Sequence, residues 1–329
     1  MKIHSIQALR AVAAIAVVMF HAGGSIGSNV YQGNEWIGKL TRGFDSGVDL
    51  FFVISGFVIS IPIFLSKKKR TPFSFLYHRF WRVYPMAILT ALIFITSAYF
   101  VLGYTPEGGF LGAALSSVLL LPSPIDPTPI VLWTLKQELL FYTIFSICFF
   151  HKKLGLSLVI VWGLLSWAIN TQHWLADWFF HAQNIQFIFG MLVCFLYSEK
   201  KLIQHSILLT LFGSLSFLAL AFTYKSMDLN PQTASLLFGI AGAALIIGFA
   251  NGKWKEYKIL TFLGAASYSI YLIHFFFISL FQKALIRFSH LIPDIISLLI
   301  LVTLSTICGI MYYLVSEKQI ERVRLSKKA

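Results

Sequence analysis

Apolar residues in this chain run in blocks of about twenty, the length a helix needs to cross a hydrocarbon core about 30 Å thick. Ten such blocks predict ten spans, near residues 5–23, 45–65, 83–103, 131–150, 155–171, 178–197, 205–224, 233–250, 259–281 and 293–315. Residues 110–121 are apolar but short, which fits a half-helix or a surface loop. The expected fold class is an all-α integral membrane protein of about ten transmembrane helices. No internal repeat, low-complexity tract or second domain interrupts it, so residues 1–329 read as one transmembrane domain with no fused soluble part. The first block also has the look of a signal peptide, with Lys2 and Arg10 ahead of an apolar run and Ala22-Gly23 as a cleavage site. Nine further spans make a cleavable leader unnecessary.

Composition sharpens the class. Of 329 residues, 57% are apolar and only 12% charged, about half the charged fraction of a soluble domain. Disorder, collagen and a disulfide-rich secreted scaffold are excluded with it. Cys148, Cys194 and Cys308 each lie inside an apolar run and read as small core residues. The net charge of +13 comes from 26 Lys and Arg against 13 Asp and Glu. With the N-terminus placed in the cytoplasm and the spans alternating, 20 of the basic residues fall on the inner side. They include Lys67, Lys68, Lys69, Arg70, Arg79, Arg82, Lys152, Lys153, Lys200, Lys201 and the tail through Lys327 and Lys328. Five, Lys39, Arg42, Lys225, Lys283 and Arg287, fall outside, and Lys136 lies within a span. This split predicts both termini in the cytoplasm. It accounts for the basic charge by topology and anionic lipid, with no nucleic-acid partner.

Ionisable groups within spans are costly and mark functional sites. Here they are Arg10 and His21 in the first span, Asp45 and Asp49 opening the second, Lys136 and Glu138 in the fourth, and His274 in the ninth. Arg79 and Arg82 precede the third. At about 1.5 Å per residue, Arg10 lies about 16 Å deeper than His21. Asp45 and Asp49, four apart, share a helix face. By depth, His21, Asp45, Asp49, Glu138 and His274 are expected to converge in the outer leaflet, with the arginines forming a basic inner mouth. Arginines suit phosphates. A histidine near a carboxylate suits general-base work on a hydroxyl that attacks a thioester. Plainer readings stand beside these: positive-inside anchoring for Arg79 and Arg82, capping for Asp45 and Asp49, an interfacial bond for His21, packing for His274, and a structural ion pair for Glu138 with Lys136 or an arginine. His78, His173, His181 and the other histidines sit at span ends or in loops and read as interfacial. No cluster has the ligand spacing of a zinc site, so no metal is expected.

Five blocks, in order, resemble the membrane-bound acyltransferase family 3, and most closely its branch of exopolysaccharide and O-antigen O-acetyltransferases. They are Ile6-Gln7-Ala8-Leu9-Arg10 running to Phe20-His21; Gly47-Val48-Asp49-Leu50-Phe51-Phe52-Val53-Ile54-Ser55-Gly56-Phe57; Arg79-Phe80-Trp81-Arg82-Val83-Tyr84-Pro85; Trp133-Thr134-Leu135 with Glu138 and Phe141-Tyr142; and Ser267-Tyr268-Ser269-Ile270-Tyr271-Leu272-Ile273-His274. The resemblance implies an O-acyltransferase of the bacterial cytoplasmic membrane that takes acetyl-CoA or a related acyl-CoA from the cytoplasm. Its acceptor would be a cell-surface glycan or a lipid-linked saccharide. It implies a catalytic His21, a buried Glu138, and donor binding by Arg10, Arg79 and Arg82. Lys136 and Gln137 depart from the family's usual small or acidic residues. In this reading His21 takes the acceptor proton, Glu138 or Asp49 orients it, and Asp45, Trp133, Tyr142, Ser267, Tyr268, Tyr271 and His274 support the site. By depth, Tyr271, Ser267 and Trp133 are the nearest candidates to stabilise an oxyanion. The competing class is a proton-coupled transporter, since intramembrane His, Asp and Glu also mark ion paths. Against it stand the lack of an inverted repeat and the single, unpaired interruptions at Gly23-Gly24 and Ile61-Pro62.

Overall fold

A computed structural model describes residues 3–28, 31, 33–66, 70–103, 105 and 108–326. Lys2, Lys67, Lys68, Lys69, Lys327 and Lys328, which enter the charge argument above, lie outside the described residues. The described chain is helical, with no strand. Its elements are α1 (His4–Ile26), α2 (Glu35–Thr41), α3 (Gly47–Phe64), α4 (Pro72–Ser97), α5 (Gly109–Leu119), α6 (Trp133–Ser146) and α7 (Lys152–Ala168). There follow α8 (Trp174–Phe179), α9 (Ile185–Ser198), α10 (Ser206–Thr223), α11 (Pro231–Asn251), α12 (Lys258–Leu285), α13 (Asp294–Tyr312) and α14 (Lys318–Ser326). Helices dominate because a backbone without water must bond its own N–H and C=O groups.

Among the described residues, nine helical segments are long and apolar enough to cross a membrane. The tenth expected span is α7, whose 17 residues extend about 25 Å. It nevertheless joins the two ends of the bundle. Near its start the Lys152 amino group reaches the Ile63 carbonyl at the end of α3. Beyond its end, Ile169 and Thr171 line a cavity with Asp45 and Trp133, which stand near the starts of α3 and α6. The apolar stretch at 110–121 is the short helix α5.

The helices lock through small residues and aromatic stacks. The pairs α1 with α12 and α3 with α9 pack most extensively. Gly56 of α3 faces Gly190 of α9. A Cβ on Gly56 would collide with the Phe187 carbonyl, and one on Gly190 with the Val53 carbonyl. Gly264 of α12 likewise lies on the Gln7 backbone of α1. In lipid, such close approach replaces the hydrophobic force that drives packing in water. Behind α6, Phe141 stacks on Phe187 with ring centroids 4.2 Å apart, and Trp162 of α7 lies parallel to both. This stack holds α6 against α7 and α9 and so sets where Glu138 and Tyr142 point.

Candidate functional site

Two cavities meet inside the bundle. The first, of about 90 Å³, lies among α1, α3, α4, α6 and α12. Its charged lining is Arg10, Arg79, Arg82 and Glu138, and Tyr142, Tyr268 and Tyr271 add phenols. The rest is largely aliphatic and aromatic, including Phe51, Phe52, Val58 and Ile59. The second is a vestibule of about 710 Å³ at the end where α3, α6 and α11 begin. His21, Asp45, Asp49, Trp133, Asp177, His181 and Tyr224 lie on its wall. Val48 and Tyr271 belong to both walls, so a thin partition separates the two spaces.

The arginine cavity is built by α4. This helix starts at Pro72, capped by the Thr71 hydroxyl accepting from the Ser74 N–H, not near residue 83 as the hydropathy predicts. Arg79 and Arg82 therefore lie within a helix and point into the bundle, and Arg82 owes its exposure to the cavity it lines. None of Arg10, Arg79 and Arg82 has a carboxylate within ion-pair distance among the described residues. Arg79 packs its guanidinium over the rings of Phe75 and Tyr142, each at 5.5 Å. Three guanidinium groups on one cavity wall, with no carboxylate at ion-pair distance among the described residues, make a site suited to an anion.

Glu138 corrects the expected grouping. It lies with the arginines and not in the vestibule with His21. Its Oε1 accepts a 3.0 Å bond from Ser55 and a very short one from the Tyr142 hydroxyl. The helical rotation of α6 turns residue 138 toward Ser55 of α3 and the arginine cavity. Glu317, which the hydropathy pattern passes over at the end of the last span, is the second acid here. It ends a π-helical stretch, Tyr313–Glu317, accepts a 2.6 Å bond from Ser269, and its charge acts on Arg10 and Arg82. Such π-turns are frequent at functional sites.

The vestibule centres on His21. Its ring lies 5.1 Å from the His274 ring and 5.1 Å from that of Phe275. Asp45 is the carboxylate whose charge reaches it. His274 is fully buried, with Nδ1 2.6 Å from the Tyr271 carbonyl. A carbonyl only accepts, so Nδ1 carries the proton and Nε2 keeps a lone pair. That Nε2 is buried without a partner. Asp45 forms an ion pair with Lys225 at 2.6 Å and accepts from the Tyr224 hydroxyl at 2.7 Å. Asp49 does not touch His21; its Oδ1 accepts from the Gln183 and Gln186 amides at 2.9 and 2.5 Å.

The remaining predicted residues divide. Tyr271 donates to the Val131 carbonyl at 3.0 Å and meets the Thr134 hydroxyl at 3.0 Å, which fixes it in the partition. Tyr268 donates to the Val83 carbonyl. Trp133 lies in the vestibule against His181, ring centroids 5.0 Å apart. Ser267 is spent on the Gly264 carbonyl of its own helix at 2.8 Å and lines neither cavity. Lys136, buried, donates to Ser116 Oγ at 3.2 Å and has no carboxylate within ion-pair distance among the described residues. His181, read as interfacial, and Asp177, passed over, line the vestibule. Among the described residues, no group of three His, Cys, Asp or Glu side chains has metal-binding geometry.

Comparison with known proteins adds two findings. A family model of the acyltransferase domain matches residues 3–314. The exopolysaccharide production protein ExoZ of Rhizobium meliloti (strain 1021) is 28% identical over 298 residues, covering 84% of this chain and 89% of that protein. No solved structure matches.

Proposed function

Since the chain belongs to the membrane-bound acyltransferase family, we propose that it moves an acyl group, most simply acetyl, from cytoplasmic acyl-CoA to a hydroxyl of a cell-surface glycan or its lipid-linked precursor. The setting is the bacterial cytoplasmic membrane, with both termini inside. The similarity to an exopolysaccharide production protein supports a glycan acceptor. One observation carries the reading: three arginines without ion-pair partners line a cavity that shares a wall with the histidine vestibule. An anionic donor and an uncharged nucleophile have opposite needs, and the two spaces divide them.

Arg10, Arg79 and Arg82 hold the phosphates of the donor. The aromatic and aliphatic wall through Phe51, Phe52 and Ile59 takes its pantetheine arm. The thioester then lies at the partition, beside Tyr271. From the other side, one ring nitrogen of His21 takes the proton of the acceptor hydroxyl as its oxygen attacks the thioester carbonyl. The C–O bond forms, the C–S bond breaks, and the proton on His21 passes to the departing thiolate to give the free thiol. His274 completes the arrangement: its unpartnered Nε2 accepts the N–H from the other side of the His21 ring and holds that ring toward the acceptor.

The test is thiol release from acetyl-CoA by the protein in lipid nanodiscs, with and without glycan. His21→Ala should lose about 10²- to 10⁴-fold, the usual worth of a general base. Arg79→Ala/Arg82→Ala should instead raise the KM for acetyl-CoA. If the wild type neither binds nor turns over acetyl-CoA, the reading fails and ion-coupled transport takes its place.

A further inference from the structure

We propose that the vestibule selects an uncharged sugar, and that Asp177, His181 and Trp133 form the wall that seats it. The proposal rests on the acyl-transfer reading and adds the charge class of the acceptor and the residues that choose it.

The argument begins with the charges on the two walls. The inner cavity carries three guanidinium groups on its wall against two acids, Glu138 on that wall and Glu317 close to Arg10 and Arg82. The vestibule carries three carboxylates, Asp45, Asp49 and Asp177, and neither Lys nor Arg among its lining residues. Lys225 balances Asp45. Asp49 is held by neutral amides. Asp177 is exposed and has no cation within ion-pair distance among the described residues. A phosphate or a uronic acid entering this space meets like charge on low-dielectric walls. A neutral polyol meets acceptors for its hydroxyls.

The second observation is a polar atom without a partner. His181 packs against Trp133 with the two rings tilted, and its Nδ1 is buried with no hydrogen-bond partner among the described residues. Leaving such a group unpaired is costly. It lies on the wall of the vestibule beside an aromatic ring, and Asp177 of α8, four residues before it, lies on the same wall. A flat ring for the C–H face of a pyranose, with a nitrogen and a carboxylate at its rim for hydroxyls, is the chemistry of a sugar subsite. The vestibule's volume of about 710 Å³ lies within the roughly 300–1000 Å³ of a small-molecule pocket, which leaves room for a sugar unit.

The experiment pairs acceptors that differ in charge alone: neutral glucan oligosaccharides, and the same oligosaccharides oxidised at C6 to uronates. Labelled acetyl-CoA and the protein in nanodiscs supply the donor side. Label should enter the neutral series at least about tenfold faster, the scale on which like charge suppresses a wrong partner. Asp177→Asn should narrow that ratio, and Asp177→Glu should keep it. His181→Ala should raise the KM for the saccharide about tenfold, as for one lost hydrogen bond, with the effect falling on the saccharide and not on acetyl-CoA. His181→Gln, which keeps a hydrogen-bonding side chain, should recover part of the loss. Equal or faster labelling of the uronates overturns the proposal, as does label in neither series while thiol is still released. A ratio indifferent to Asp177→Asn overturns it too. Absence of thiol release under every condition sinks the acyl-transfer reading instead.

Discussion

At the residue scale, the pair His21 and His274 carries a prediction separate from acceptor choice. A neutral imidazole whose Nδ1 proton is committed to the Tyr271 carbonyl can only accept at Nε2. His274→Phe keeps the ring volume and removes that lone pair. It should lower kcat by about tenfold or more, on the scale of a lost orienting bond, with little change in the KM for acetyl-CoA. His274→Gln, whose amide oxygen accepts, should restore part of the rate, and a merely space-filling role would reverse that order of the two variants. His21 is enclosed by the rings of Phe20, His274 and Phe275, which suits the proposed role of a base in direct transfer. The ionisable residues themselves were legible in the sequence because charge inside an apolar run stands out. Their grouping was legible only in part. Depth along a helix placed His21, Asp45, Asp49 and His274 correctly in one region, but depth says nothing of azimuth. Glu138 lies at a compatible depth and faces another cavity. Glu317, His181 and Asp177 escaped notice because they lie at the ends of spans, where charge is unremarkable.

At the element scale, the spans were legible because each must be long, apolar and internally bonded. Element ends were harder. The segment from Pro72 to Arg82 is too polar for a hydropathy window, yet it is helical, because Thr71 and Pro72 form a good N-terminus and the arginines turn inward to a cavity. Close helix approach was not legible at all, since a glycine in an apolar run does not name its neighbour. The structure does so, and a contrast follows. Gly190→Leu drives a side chain into the Val53 carbonyl and the Phe57 backbone of α3. No rotamer relieves a clash at Cβ, so the cost should reach at least about 1–3 kcal/mol, the usual penalty of overpacking. Gly24→Ala, on α1, meets nothing within 4 Å and should stabilise by about 0.5–1 kcal/mol through helix propensity. Melting in detergent should move down for the first variant and up for the second. Equal effects would mean that α3 and α9 do not approach at Gly56 and Gly190.

At the scale of the whole molecule, two opposite charge environments lie on either side of one partition, and their function depends on which end of the bundle faces the cytoplasm. The end that holds His4, Glu256 and Lys201 is tied together by the His4–Glu256 contact at 2.9 Å, the Ser5 bond to the Phe249 carbonyl and the Asn251 bond to the Lys201 carbonyl. Arg10 stands closer to this end than His21 does, by about 16 Å of helix. The proposed orientation, argued from the positive-inside rule, has this end in the cytoplasm and the vestibule outside. The orientation needs α7 to cross. Nine crossings would place the two termini on opposite sides, and ten place them together. Its 17 residues extend about 25 Å, at the short limit for a span, and its ends reach the two opposite ends of the bundle. Single cysteines at Lys153 and His173, both exposed and flanking α7, decide the matter when Cys148, Cys194 and Cys308 are first replaced. With a membrane-impermeant maleimide on intact cells stripped of outer layers, His173→Cys should label at once. Lys153→Cys should label only after the membrane is opened. Labelling of both from the same side would make α7 a re-entrant helix, divide the termini between the two faces, and leave the arginine cavity without a cytoplasmic mouth by this route.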